Sequence, residues 1–134
     1  MAPTRELAMQ IEQEAAHFAN VCKLQTLCVY GGAPRYDQGR RLRNGIDILI
    51  ATPGRLLDFI NSGDTNMHRV TYLVLDEADR MLDMGFEKDI RRIVDEIKSP
   101  ERQTCMFSAT WPQEIQTMAR QFCQTAPIHI TIGN

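Results

Sequence analysis

The chain reads as an α/β domain with a mostly parallel sheet and helices on both faces. Short apolar runs bounded by turn residues alternate with segments of helical period, as in repeated β–α units. The runs Ile48-Leu49-Ile50 and Tyr72-Leu73-Val74-Leu75 are continuous rather than alternating in polarity, as strands covered on both faces are. The second run stops abruptly in Asp76-Glu77-Ala78-Asp79. Charge is thereby delivered to the carboxyl end of a strand, where ligands bind in open α/β sheets.

In chain order, Leu7, Ile11, Ala15 and Phe18 recur at helical spacing and predict a helix over Arg5–Phe18, with Thr4 as its cap. Thr26–Tyr30 reads as a short strand ending at Gly31-Gly32. Pro34–Leu42 reads as a helix stopped near Asn44-Gly45, and Ile46–Ala51 as the next strand. Arg55–Asn61 is helical and ends before Ser62-Gly63. Thr71–Leu75 is the strand that carries the acids. Phe86–Lys98 places Ile90, Ile93, Val94 and Ile97 on one helix face, and Ser99-Pro100 closes it. Gln103–Phe107 is a strand, Pro112–Phe122 a helix with proline in its first turn, and Ile128–Ile132 a last strand.

A chain of 134 residues is one domain or part of one, and 43% hydrophobic residues suffice for a sizeable core. The net charge of −2 argues against general electrostatic capture of nucleic acid, while leaving room for contacts by a few Arg side chains and helix N-termini. The four cysteines, Cys22, Cys28, Cys105 and Cys123, form no CxxC pair and read as reduced thiols rather than metal ligands. With no signal peptide and no membrane-length apolar run, the chain is expected to be soluble and intracellular, with no membrane partner.

An Asp at a strand end can hold Mg²⁺ on a nucleotide, and a neighbouring Glu can orient or deprotonate an attacking water. Alone, an Asp-Glu pair more often marks a strand running into an acidic turn. Ser-Ala-Thr alone reads as a turn or cap. The segments Pro3-Thr4-Arg5-Glu6, Gly31-Gly32 and Thr52-Pro53-Gly54-Arg55 each read alone as strand-to-helix turn chemistry, although three such loops could offer N–H groups, hydroxyls and guanidiniums to phosphates.

Their order decides between these readings. Pro3-Thr4-Arg5-Glu6-Leu7-Ala8, Gly31-Gly32, Thr52-Pro53-Gly54-Arg55, Asp76-Glu77-Ala78-Asp79 and Ser108-Ala109-Thr110 follow one another as in the first RecA-like domain of DEAD-box ATP-dependent RNA helicases, which the chain resembles over nearly its whole length. The stretch Val70–Phe86 and the run Ser108–Pro112 look most like the nuclear branch of the family, which acts in splicing and ribosome assembly. The resemblance implies ATP and Mg²⁺ as cofactors, RNA as partner and a setting in the nucleus or cytoplasm. It implies that Asp76 coordinates Mg²⁺ through water, that Glu77 activates the hydrolytic water, and that Asp79, Ser108 and Thr110 couple chemistry to domain motion and unwinding. For Asp79 a helix N-cap before Arg80-Met81-Leu82 is the structural alternative. Pro3, Thr4, Arg5, Glu6, Gly31, Gly32, Thr52, Pro53, Gly54 and Arg55 are the RNA-binding residues that the resemblance implies, gripping sugar and phosphate with little sequence specificity.

No Gly-x-x-x-x-Gly-Lys-Ser/Thr phosphate loop occurs in the sequence. The family carries that loop and an adenine-reading Gln motif upstream of Pro3, and a second RecA-like domain beyond Asn134. Residues 1–134 are therefore expected to be a partial helicase ATP-binding domain, less stable than a complete one or self-associating through open sheet edges. The competing reading is a non-catalytic module that binds RNA or protein. A DNA helicase or other NTPase is a third, opposed by the Pro-Thr-Arg-Glu-Leu-Ala and Thr-Pro-Gly-Arg segments. Arg35, Arg40, Arg41 and Arg43, with Asp37 opposing, read as a solvated helix face, Trp111 as packing at a helix start, and Met81, Met84 and Met106 as core or near-core fillers.

Overall fold

The computed structural model describes residues 1–133. Its elements are α1 (Arg5–Cys22), β1 (Thr26–Val29), α2 (Arg35–Arg43), β2 (Ile48–Ala51), α3 (Pro53–Asn61), β3 (Tyr72–Leu75), α4 (Ala78–Asp83), α5 (Glu87–Asp95), β4 (Gln103–Met106) and α6 (Gln113–Phe122). The strand pairs are parallel. In β1–β2, Thr26 stands opposite Ile48 and Val29 opposite Ala51; in β3–β4, Tyr72 stands opposite Gln103 and Leu75 opposite Met106.

The two pairs do not merge into one ladder. Met1 and Ala2 lie between them. Ala2 N–H donates to Ala51 O at 3.0 Å, the Met1 ammonium to Val74 O at 2.7 Å, and Asp76 N–H to Met1 O at 3.0 Å. Two residues bridge the gap with single bonds and are too few to make a strand.

The period-two rule explains how the β1–β2 pair is covered. Cys28, Ile48 and Ile50 face Leu7, Ala8, Ile11 and Ala15 of α1. The intervening residues Leu27, Val29, Leu49 and Ala51 belong to the larger core, with Leu42 of α2, Leu56 and Phe59 of α3, Ile90 and Ile93 of α5, and Ile115 and Met118 of α6. That pair thus has helices on both faces, as the apolar runs predict.

Several boundaries differ from the sequence reading. Helix α1 runs on to Cys22 and ends where Lys23 turns left-handed at φ 58°. Helix α3 begins at Pro53, a residue suited to a first helical turn because its missing N–H is not needed there. The helix expected over Phe86–Lys98 is shorter, Glu87–Asp95. The strand expected over Ile128–Ile132 does not form: Ile128, Ile130 and Ile132 are exposed, and no described strand offers them a ladder. Met81 is buried, but Met84 is exposed at the end of α4, not near-core.

Candidate functional site

The buried strand β3 carries Leu75 straight into the acids. The turn is held by its neighbour: Phe107 N–H donates to Leu75 O at 2.8 Å, and Ala78 N–H donates to Phe107 O at 2.9 Å. Between these attachments Glu77 sits at φ 51°, ψ 51°. A left-handed backbone is unfavourable for a residue with a Cβ and persists where the surroundings over-determine it, often at functional sites. Asp76 Oδ1 accepts the Glu77 N–H at 3.0 Å. Glu77 Oε2 is shielded from solvent yet has no hydrogen-bond partner among the described residues; Arg80 Nη1, 3.5 Å away, balances its charge outside hydrogen-bond geometry.

Asp79 is not the helix cap. Helix α4 begins one residue earlier, with Glu77 in the cap position, so Asp79 lies in the first turn. Its Oδ1 accepts the Arg80 N–H at 2.9 Å, and its Oδ2 accepts both the Thr110 N–H at 3.0 Å and the Thr110 hydroxyl at 2.7 Å. Burial pushes its carboxyl up, but the hydrogen bonds from Thr110 and the Arg80 N–H outweigh this and hold its pKa below the usual value. Ser108 Oγ lies beside the same carboxylate and adds a smaller lowering influence, although among the described residues no partner stands within good hydrogen-bond geometry of it. Thus Thr110 makes the expected bonds to the acids, and Ser108 stands beside the same carboxylate.

The second part of the site is a cleft of about 530 Å³. Pro3, Arg5, Gly31, Thr52, Gly54 and Arg55 line it, gathered from three segments far apart in sequence. The other expected members play supporting parts. Thr4 caps α1, its Oγ1 accepting the Leu7 N–H at 3.3 Å. Pro53 is buried at the start of α3, Gly32 provides the positive φ of 81°, and Glu6 lies exposed in the first turn of α1. Arg5 stacks over the Tyr30 ring at 5.1 Å, which ties the first segment to the second.

Sequence reasoning missed three residues here. Asp58 and Phe86 also line the cleft, and the Phe86 ring stands at ordinary contact distance, 4.0 Å, from where a Cβ on Gly54 would be. Gln38, buried in α2, bonds to Tyr30 and Arg55. Only its place one turn from Leu42, on the core side of α2, could have flagged it. The basic residues of α2 are also better matched than Asp37 alone implies. Arg35 pairs with Asp58 and Asp64, Arg43 with Asp64, and Arg41 donates to Thr26 O. Trp111 is partly exposed and stacks on His129 at 4.5 Å.

Acids at a parallel strand end, bonded to the segment after the neighbouring strand and joined to a second set of strand-end loops, define a RecA-like α/β domain. The comparisons make this specific. Residues 1–118 match the DEAD/DEAH box helicase family, and the chain belongs to it. It is 59% identical over all 134 residues to the ATP-dependent RNA helicase DBP2 of Scheffersomyces stipitis, covering 25% of that protein. It is 58% identical over its whole length to the DEAD-box ATP-dependent RNA helicase 30 of Oryza sativa, covering 20% of it. The chain thus spans about a quarter or less of the length of these curated relatives. Among solved structures, the yeast DEAD-box splicing factor Prp28 matches with a TM-score of 0.84 at 36% identity, over 90% of this chain and 29% of that one. A DEAD box protein from the hyperthermophile Methanococcus jannaschii matches with a TM-score of 0.83 at 41% identity, over 90% of this chain and 33% of that one.

Proposed function

We propose that this chain is the acid-bearing part of an ATP-dependent RNA helicase that couples ATP hydrolysis to local duplex unwinding or remodelling of RNA–protein particles. The observation that carries the proposal is the pair of bonds from Thr110 to Asp79, which joins the acid turn to the segment following β4. A link of this kind lets the occupancy of the acid site bear on a neighbouring strand end. The names of the relatives support the same reading.

In this proposal Asp76 and Glu77 face ATP and Mg²⁺. The residues fit such a group: Asp76 Oδ1 is engaged by its own turn, while the unpartnered Glu77 Oε2 and Ser108 Oγ are polar atoms awaiting a partner. When bound, Mg²⁺ supplies charge neutralisation on the phosphates. Asp76 would hold it through water, and Glu77 would take the proton of the attacking water. The cleft of Pro3, Arg5, Gly31, Thr52, Gly54 and Arg55 grips the sugar-phosphate backbone of RNA, so affinity depends little on sequence. A second RecA-like domain is the partner that completes both surfaces. The setting is intracellular, nuclear or cytoplasmic, where the free cysteines stay reduced.

The 134-residue chain alone, whose sequence carries no phosphate loop, should not turn over ATP. It should also self-associate, because its strand pairs have open edges and Tyr72, Phe107, Ile128, Ile130 and Ile132 are exposed; sedimentation velocity reads this directly. The functional test is phosphate release from ATP–Mg²⁺ by the 134-residue chain, with and without single-stranded RNA, beside Glu77→Gln. Both proteins should give the same background. RNA-stimulated release lost in Glu77→Gln would mean that phosphates are cradled without the loop, and the account of nucleotide binding would fall. Matched RNA and DNA strands, compared for binding, test the choice of nucleic acid.

A further inference from the structure

Gln38 is buried, with 8% of its surface exposed, while Asp37, Arg40 and Arg41 beside it in α2 face solvent. A buried amide is tolerated when its polar atoms are met. All of its bonds lead toward the cleft. Nε2 donates to Tyr30 O at 3.3 Å. Oε1 accepts the Tyr30 N–H at 3.3 Å and Arg55 Nη1 at 3.1 Å. The orientation of the amide follows from these partners: exchanging O and N would set an NH₂ group against two donors.

One side chain thus reads both backbone groups of the residue before Gly31 and holds the guanidinium of Arg55. Arg55 Nη1 also donates to Ala33 O at 3.2 Å, which closes the unit. Behind it the fully buried Phe59 ring lies 5.9 Å from the guanidinium carbon. Arg55 lines the cleft, and its Nε and Nη2 make no hydrogen bond to any described residue. A guanidinium is a planar fork with five donors. Tying back one nitrogen leaves an adjacent pair of donors in fixed orientation, as bidentate binding of a phosphate requires.

We propose that Gln38 is a positioning residue for the nucleic-acid cleft, locking Arg55 and the Tyr30–Ala33 loop together so that the remaining edge of the guanidinium meets a backbone phosphate of single-stranded RNA. The proposal rests on the RNA reading of the cleft. It assigns binding energy to a residue that does not itself touch the strand.

The test is anisotropy of a labelled oligouridylate with the 134-residue chain, comparing wild type, Gln38→Met, Arg55→Ala and the double variant. Gln38→Met keeps the length of the side chain and removes all three bonds. Each single variant should weaken binding about tenfold, and the double variant by no more than about two- to threefold beyond either, because the two residues act through one contact. A purely structural role would instead make the losses multiply to about a hundredfold. That result, or wild-type affinity in Gln38→Met, overturns the proposal. Gln38→Glu keeps the bond to Arg55 but sets a carboxylate oxygen against Tyr30 O in place of the donated bond; should Gln38→Met not fold, unchanged amide exchange over residues 30–33 in Gln38→Glu overturns the proposal, and faster exchange there with weakened binding supports it. Amide hydrogen exchange separates the two layers of the claim. A wild-type chain that retains no RNA refutes the RNA reading, whereas unchanged exchange over residues 30–33 in Gln38→Met refutes the anchoring itself.

Discussion

The bond between Asp79 and Thr110 can be taken apart nearly atom by atom. Thr110→Val keeps the branched shape and deletes only the hydroxyl that donates at 2.7 Å, while the Thr110 N–H at 3.0 Å stays in place. Asp79→Asn removes the charge and keeps the volume. A hydrogen bond to a charged group contributes about 1.5–3 kcal/mol when enclosed; exposed charge pairs fall to about 1 kcal/mol or less. Asp79 is partly exposed and already accepts the Arg80 N–H, so a double-mutant cycle of urea unfolding at neutral pH should give a coupling of about 1 kcal/mol. The pH dependence has a definite sign. The folded-state pKa of Asp79 is depressed, so the unfolded chain takes up the proton first. The contribution is therefore whole above the unfolded value of about 3.9 and is lost as the pH falls through the folded value. A coupling below about 0.3 kcal/mol at neutral pH, the scatter of independent sites, would refute the reasoning. So would a coupling that grows on acidification.

Two further outcomes follow from the backbone. Gly39→Ala would place a Cβ 3.2 Å from Phe59 Cε1, and the strain of overpacking, about 1–3 kcal/mol, should exceed the helix gain of about 0.5–1 kcal/mol; the urea midpoint should fall, and a rise would mean that the buried ring yields. Glu77→Gly relieves a left-handed backbone worth about 1–2 kcal/mol, partly offset by the freedom glycine gains in the unfolded chain. Its calorimetric melting temperature should rise slightly while that of Glu77→Gln stays put, and a drop in Glu77→Gly would show that the Glu77 side chain itself stabilises the turn.

The acid turn was legible because a buried strand has few ways to end in charge. The cleft was legible only through the order of its segments, since each segment alone is ordinary turn chemistry. What sequence could not supply were pairings across distance. Arg35 and Arg43 look unopposed in α2 until the loop after α3 brings Asp64 to them. Gln38 looks like one more polar residue in a polar helix until its burial is seen. Helix α4, six residues long, is too short to display a period. The opposite error arose at Ile128, Ile130 and Ile132, where alternation suggested a strand. Alternation records a two-faced environment, but a strand exists only where a neighbour supplies its ladder.

The strain at Glu77 and the Thr110 bond belong to one device. Only Asp76 and Glu77 separate β3 from helix α4, and the left-handed residue is what turns the chain that sharply. Such a residue would relax unless held on both sides. The hold comes from the end of β4, through Phe107 to Leu75 before the turn and to Ala78 after it, and through Thr110 to Asp79 one residue further. Both sides of the bent residue are therefore fastened to the same neighbouring segment. We expect a shift of that segment to bear on the orientation of Glu77, and a group bound at Glu77 to bear on that segment in return, since any coupling of binding between sites is reciprocal. Buried Ala78 and Met81 leave α4 little freedom to absorb the shift locally, and its far end runs through Gly85 to Phe86 at the cleft. The acids and the cleft are thus connected through a short, packed helix held at its strained end.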